Sequence, residues 1–318
     1  MRFVVTLFFA VAAAAAGPAF ADPCPGNPDA LGTSRVITVS PEDFTRIGSM
    51  QYKQQLPLKD HEVVLTFDDG PLPPYSDSVL DTLASQCVKA TYFLVGQMAR
   101  AYPATARRIY NEGHTIGTHS LDHPLVFQNL SLDRVEREVD GGINLVDQAL
   151  GDPAALSPFF RIPGLGRSNT AEGFLASHSL VTWSADVVAD DWFRHIGAQQ
   201  IVQRAMRRLE ARGRGILLLH DIHPATAMAL PVLLKQLKSK GFRIVQVVAA
   251  GERPPSLPPL VVASAKTGWP TVVKTSAKAS EPRTRRHGVK FASARKQQRA
   301  AVAAVLPTSD YSTHIGQF

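Results

Sequence analysis

The chain has 318 residues, with 34 Lys and Arg against 27 Asp and Glu, a formal net charge of +7 and two cysteines. From Arg253 onward there are 11 Lys and Arg against 2 Asp and Glu, so the body before it is slightly acidic, 23 against 25. The positive charge thus sits in the tail, where charge alone would allow nucleic-acid binding but an export signal argues against it, no repeat of 20–50 residues points to a solenoid, and no Gly-rich phosphate loop is present.

The first element is a leader. Met1-Arg2 precedes an apolar run over residues 3–16, and Ala19-Phe20-Ala21 follows. This is the form of a signal peptide over residues 1–21, too short for a comfortable membrane span. It predicts a secreted or periplasmic protein. Cys24 and Cys87 are then candidates for a disulfide, the other reading being two buried thiols. Residues 22–60 carry Pro and Gly, with one strand at Val36-Ile37-Thr38-Val39, and read as an extension packed along the next domain.

Residues 61–250 alternate strand and helix patterns. Strands are expected at residues 63–67, 90–95, 115–118, 159–163, 183–186, 216–219 and 242–245. Between them come a stripe of Val79, Leu80 and Leu83, a helix over residues 104–112, and one from a Ser131 cap to Leu150 with Gly151 at its end. Further helices are expected over residues 170–177, along Ile201, Val202, Ala205, Met206 and Leu209, and over residues 230–240. The alternation argues a parallel α/β fold in one domain of about 200 residues. Residues 251–318 hold Pro254-Pro255 and Pro258-Pro259 among Ser, Ala and Lys, and read as a disordered basic tail with a basic helix over residues 291–306. The tail's charge suits electrostatic contact with an anionic envelope surface.

Chemistry gathers where strands end. Val63-Val64-Leu65-Thr66-Phe67 runs into Asp68-Asp69-Gly70-Pro71. Two adjacent carboxylates at a buried strand end repel unless a cation sits there; taken alone the motif also reads as a surface turn. His119 and His123 are four apart, and Pro124 turns His123 away from helical geometry. Together these supply the donors of a divalent metal with a spare carboxylate beside it, which points to hydrolysis. Three further strands end in polar groups: Phe159-Phe160-Arg161-Ile162-Pro163, Trp183-Ser184-Ala185-Asp186 leading to Asp190-Asp191-Trp192, and Leu218-Leu219-His220-Asp221. Polar groups delivered by successive strand ends are the active-site pattern of a β/α barrel.

With these five motifs, in order over roughly residues 60–247, the chain resembles the polysaccharide deacetylases that share the NodB homology domain, carbohydrate esterase family 4. The resemblance implies a single distorted (β/α) barrel of about seven strands. It implies that Asp69, His119 and His123 bind a divalent metal, most often zinc, with cobalt, nickel or manganese as alternatives. It makes Asp68 the general base, Arg161 the residue that holds it, His220 the general acid and Asp191 its tuning partner. The amide of Gly164 would serve the oxyanion, and Pro163, Trp192 and Leu218 would line the substrate. Gly164 stands where an aromatic residue is often found, which removes a packing surface. Asp186 and Asp190 compete with Asp191 for the Asp-Trp alignment. His223 reads as a loop histidine.

The implied activity is metal-dependent removal of N-acetyl groups from N-acetylglucosamine glycans of chitooligosaccharide or peptidoglycan type, releasing acetate. The alternatives are an O-acetyl esterase on xylan-like polysaccharide and a non-catalytic carbohydrate-binding envelope protein. Binding alone would need neither Asp68 nor His220. The expected partner is a glycan and not a nucleic acid; the oligomeric state is not legible.

Overall fold

Strand and helix alternate along residues 24–250, the part of the chain that the computed structural model describes. The leader over residues 1–21 and the basic tail over residues 251–318, with the helix expected at 291–306, lie outside the described residues. In chain order the elements are β1 (Thr33–Val39), β2 (Arg46–Ile47), β3 (Glu62–Asp68), α1 (Tyr75–Ser85), β4 (Thr91–Leu94), α2 (Gly96–Ala101), α3 (Pro103–Asn111), β5 (Thr115–Thr118), α4 (Leu132–Leu150), β6 (Leu156–Arg161), α5 (Asn169–Ser177), β7 (Val181–Trp183), β8 (Val187–Val188), α6 (Ala198–Arg212), β9 (Gly215–His220), α7 (Pro224–Ser239) and β10 (Arg243–Ala249).

All ten strands join one sheet, and each pairing is parallel. β3 is buried at all seven positions, as a parallel strand covered on both faces must be. Its period of two splits those positions. Val63, Leu65 and Phe67 pack outward on Val79, Leu80 and Leu83 of α1 and Leu230, Leu233 and Leu237 of α7. Val64 packs inward with Phe93, Phe159, Val181, Trp183, Ile216 and Val247. Thr66 and Asp68 share the parity of Val64, Arg161 that of Phe159, and His220 that of Ile216. The inward row of β9 is therefore apolar until His220, while that of β3 turns polar at Thr66 and Asp68.

One end of the barrel is filled. β9 pairs along one edge of β3, while β10 takes the start of the opposite edge and β4 its end. β10 then diverges, carrying β1 with it, and Thr115 Oγ1 at the start of β5 donates to the Val247 carbonyl. Ile37, Val39, Val245 and Val247 from this pair join the inner cluster. Chemistry is left to the C-terminal strand ends.

Several elements differ from the sequence reading. β2, α2 and β8 were not expected; β2 and β8 are two residues each, too short to show a period. Together with β1 they bring the strand number to ten among the described residues. Helix α7 starts at Pro224 and not near residue 230, with Pro231 inside it, because Thr226, Ala227, Ala229 and Leu230 continue its buried face. Helix α4 does end at left-handed Gly151, although Ser131 makes no side-chain cap bond. No helix among the described residues is long and apolar enough to cross a membrane.

Residues 24–60 are tied to the domain at several points. β1 pairs with β10, β2 with β7, and Cys24 is disulfide-bonded to Cys87 beyond α1, with 5.6 Å between the Cα atoms. The bond closes a separation of 63 residues, so its removal should cost about 4 kcal/mol in the chain-entropy model. Urea midpoints for the oxidised chain and a Cys24→Ser, Cys87→Ser double variant measure this; equal midpoints would show that the crosslink constrains nothing.

Candidate active site and metal centre

Asp69 follows β3, and the segment carrying His119 and His123 follows β5. His119 Nε2 lies 3.4 Å and His123 Nε2 3.3 Å from Asp69 Oδ1. One donor atom from each residue falls within 4.8 Å of the others. Asp69 Oδ1 is buried and makes no hydrogen bond, an orphaned acceptor of the kind a cation would satisfy. Two imidazole nitrogens and one carboxylate oxygen with open positions fit a divalent metal. Burial alone would raise the Asp69 carboxyl, but the His123, His220 and His119 imidazoles outweigh it and hold it well below the usual range. The His119 Nδ1–H donates to the Arg161 carbonyl at 2.6 Å, which turns Nε2 to the cluster.

The backbone here is forced. Asp69, Ser120 and His123 have φ of 73°, 69° and 58°, a region that costs a residue with a Cβ roughly 1–3 kcal/mol and persists only where surroundings impose it. The Gly96 and Gln97 amides at the start of α2 donate to the Ser120 and Leu121 carbonyls, both at 2.9 Å. The His123 amide donates to Ser120 Oγ at 3.1 Å, and the Asp122 amide to Glu138 Oε2 of α4 at 3.2 Å. A Cβ on Gly142 of α4 would sit 2.6 Å from the Ser120 carbonyl carbon. Sequence reasoning missed Glu138 and Gly142. The pair Gly141-Gly142 inside a helix was the available signal, since glycine there costs about 1 kcal/mol unless close approach demands it.

Beside the cluster, Asp68 is fixed by a buried ion pair. Arg161 Nη1 donates to Asp68 Oδ1 at 2.6 Å and to Thr66 Oγ1 at 2.9 Å, Nη2 donates to the Ser184 carbonyl at 3.0 Å, and the guanidinium lies 4.2 Å over the Phe93 ring. Asp68 Oδ2 is left facing His119 Nε2 at 3.8 Å.

Opposite stands His220, with Nε2 4.0 Å from Asp69 Oδ2. Its Nδ1–H donates to Asp191 Oδ1 at 2.9 Å, its amide donates to Asp191 Oδ2 at 2.7 Å, and Thr226 Oγ1 donates to the same oxygen at 2.7 Å. Burial works against the imidazolium, but Asp191 and Asp69 outweigh it and raise His220 to about 10. Burial would likewise raise Asp191, yet His220 and Thr226 hold it below the usual range. Thr226 carried no sequence signal. Trp192 sets its ring edge-on to His220 at 5.7 Å, and His223 touches His220 edge-on at 5.8 Å, outside the ligand cluster.

The rival acids are resolved by geometry. Asp190 pairs with Arg204 and Arg208 of α6, and Asp186 accepts from the Ser49 and Ile216 amides. Asp191 alone of the three bonds to His220. Leu218 and Pro163 are buried beside the site rather than exposed in it, and Gly164 is left-handed with open space where a side chain would stand. Asp221 is a second residue the sequence reading passed over. It is fully buried against Gly70, and burial raises it to about 7 against the pull of Ser76.

Three substitutions test the centre. His119→Ala or His123→Ala should abolish retention of zinc on dialysis. Gly142→Ala should weaken it at least tenfold and lower stability by about 1–3 kcal/mol through overpacking. Metal analysis and thermal denaturation read both effects; a Gly142→Ala protein with unchanged zinc affinity would show that α4 does not set the ligand segment.

Comparison with known proteins agrees with this geometry. A family model described as polysaccharide deacetylase matches residues 55–183. The peptidoglycan-N-acetylglucosamine deacetylase PgdA of Listeria monocytogenes is 34% identical over 186 residues, 58% of this chain but 38% of that protein. A peptidoglycan-N-acetylglucosamine deacetylase of Bacillus cereus is 32% identical over 199 residues, 61% of this chain and 89% of that protein. Among solved structures, a Bdellovibrio bacteriovorus peptidoglycan deacetylase superposes with a TM-score of 0.61 at 31% identity, covering 68% of this chain and 59% of that one. The chain thus spans well under half of the Listeria relative and most of the Bacillus one. With its five strand-end motifs converging at one end of a parallel α/β sheet, the chain belongs to the polysaccharide deacetylase family.

Proposed function

We propose that the chain is a metal-dependent hydrolase that removes acetyl groups from N-acetylglucosamine units of a glycan of chitooligosaccharide or peptidoglycan type. One observation carries the reading: two proton-transfer groups, each locked by its own buried partner, flank a single three-donor cluster. Asp68 is locked by Arg161, and His220 by Asp191 and Thr226. A site that only bound sugar would have no need of either lock.

The roles follow from amide hydrolysis. A divalent cation held by Asp69, His119 and His123 supplies Lewis acidity toward the acyl oxygen and a nucleophilic water at neutral pH. Asp68 accepts a proton from the attacking water through Oδ2, the oxygen that Arg161 leaves free. His220 donates the Nε2 proton to the departing nitrogen as the carbon–nitrogen bond breaks, giving acetate and an amine. Asp191 orients the imidazole and stabilises its charged form. The Gly164 amide is the expected donor to the oxyanion, and Trp192 walls the acid side. The donor set suits Zn2+ and accepts Co2+, Ni2+ or Mn2+. Residues 1–21 support export, so the substrate would be met outside the cytoplasmic membrane.

Asp68→Asn should retain the metal yet lower acetate release from chitooligosaccharide by roughly 10²–10⁴-fold. His220→Ala should lower it similarly but impair an aryl acetate less, because a phenolate leaves with less proton help. Acetate assays paired with metal analysis decide this. Full activity in Asp68→Asn would overturn the assigned mechanism.

A further inference from the structure

The extension before the stretch matched by the family model reaches the catalytic end of the barrel. β2 runs parallel to β7, with Ile47 opposite Trp183. It therefore exits at the end where Asp68, Arg161 and His220 sit. Gly48, at φ 105°, passes so close to β7's exit that a Cβ would lie 2.7 Å from the Ser184 carbonyl carbon. That carbonyl oxygen is the one Arg161 Nη2 bonds.

From there residues 49–52 are anchored on both sides. The Ser49 amide donates to Asp186 Oδ1 at 2.7 Å, and the Met50 amide to the Ala185 carbonyl at 3.0 Å. Gln51 Nε2 donates to the Leu165 carbonyl at 2.8 Å, and Arg167 Nη1 to the Gln51 carbonyl at 3.1 Å. Tyr52 OH donates to Glu172, which also pairs with Arg46 and Arg167. Within this clamped stretch the Met50 side chain is the exposed one, at 47%. Beyond Leu165 the arc continues: the Gln128 carboxamide occupies the space over Gly166, and Val126 beside it is exposed. Segments after β2, β5, β6 and β7 thus form one continuous edge, with apolar side chains at Met50 and Val126 and open space over Gly164.

We propose that residues 48–52 form part of the glycan-binding rim, with Met50 packing against a sugar unit next to the one deacetylated. This rests on the glycan reading above. A pyranose ring presents an apolar C–H face, and a thioether is an adaptable partner for it. A lone exposed methionine is ordinary on a surface; here the surrounding anchors fix its backbone at the mouth.

The test uses N-acetylglucosamine oligomers of two and five units. Met50→Ala should raise KM for the pentamer at least fivefold with kcat unchanged, and shift the dimer less than twofold. Met50→Leu should restore the parent value, and Val36→Ala, an equally exposed residue of β1, should change nothing. Calorimetric titration of the pentamer into Asp68→Asn, with and without Met50→Ala, should show the same loss without turnover. A parent that binds the pentamer but releases no acetate would sink the hydrolase reading while leaving the rim standing. Equal pentamer binding with and without Met50, no pentamer binding at all, or a fall in kcat alike on both oligomers would each overturn the rim.

Discussion

The buried Arg161–Asp68 pair is the interaction on which the site depends. Arg161 is among the largest fully buried side chains, and burial pulls its guanidinium below the usual arginine range despite Asp68. Such a charge is tolerable only with its bonds made, since breaking a buried pair from one side costs about 3–5 kcal/mol. Here the guanidinium ties β6 to β3 through Asp68 and Thr66, and to β7's exit through Ser184. Its own carbonyl fixes the His119 ring. One residue thereby sets the position of the base, the tautomer of a ligand and the spacing of three strand ends. An Asp68 freed from it would lose its direction.

Around that pair the fold divides the barrel between stability and chemistry. The inner cluster is apolar, and β1 with β10 fills the opposite end. Three of the chain's left-handed residues, Asp69, Ser120 and His123, fall in the ligand segments at the polar end. The segment after β5 is held there by the start of α2, by Glu138 and by the close approach of Gly142. The ligand segment is therefore over-determined before any metal arrives, which is what a site that must present fixed donors requires.

Most of this architecture was legible because strand ends in a parallel sheet announce themselves: Val63 to Phe67 is apolar, and Asp68 abruptly is not. The same logic exposed Arg161 and His220. It could not choose among Asp186, Asp190 and Asp191, three acids in six residues whose difference is which helix or strand each meets. Glu138 and Thr226 were invisible because a helix residue that accepts one distant amide or donates to one distant carboxylate leaves no periodic trace. The extension read as packing alone, since a two-residue strand such as β2 has no pattern and its destination is set by pairing with β7. The overlong α7 shows the converse error: Pro231 reads as a boundary, yet buried contacts on both sides hold the helix through it.

The two acids flanking His220 show how far environment decides chemistry that composition cannot. Asp191 and Asp221 are both buried aspartates within reach of the same imidazole. Asp191 receives three hydrogen bonds and stays ionised, so it can orient the ring and stabilise its positive charge. Asp221 makes no bond to His220, and burial pushes it up to about 7 against the pull of Ser76. Opposite displacement of neighbouring carboxyls is what separates an electrostatic partner from a group kept near neutrality. Were both ionised, two like charges would crowd Asp69 and draw the imidazole between them. Because Asp191 alone of the two bonds His220 Nδ1, Nε2 is left facing the cluster. Gly70, whose missing side chain makes room for the Asp221 carboxyl, is thus as much a part of that arrangement as the acids themselves.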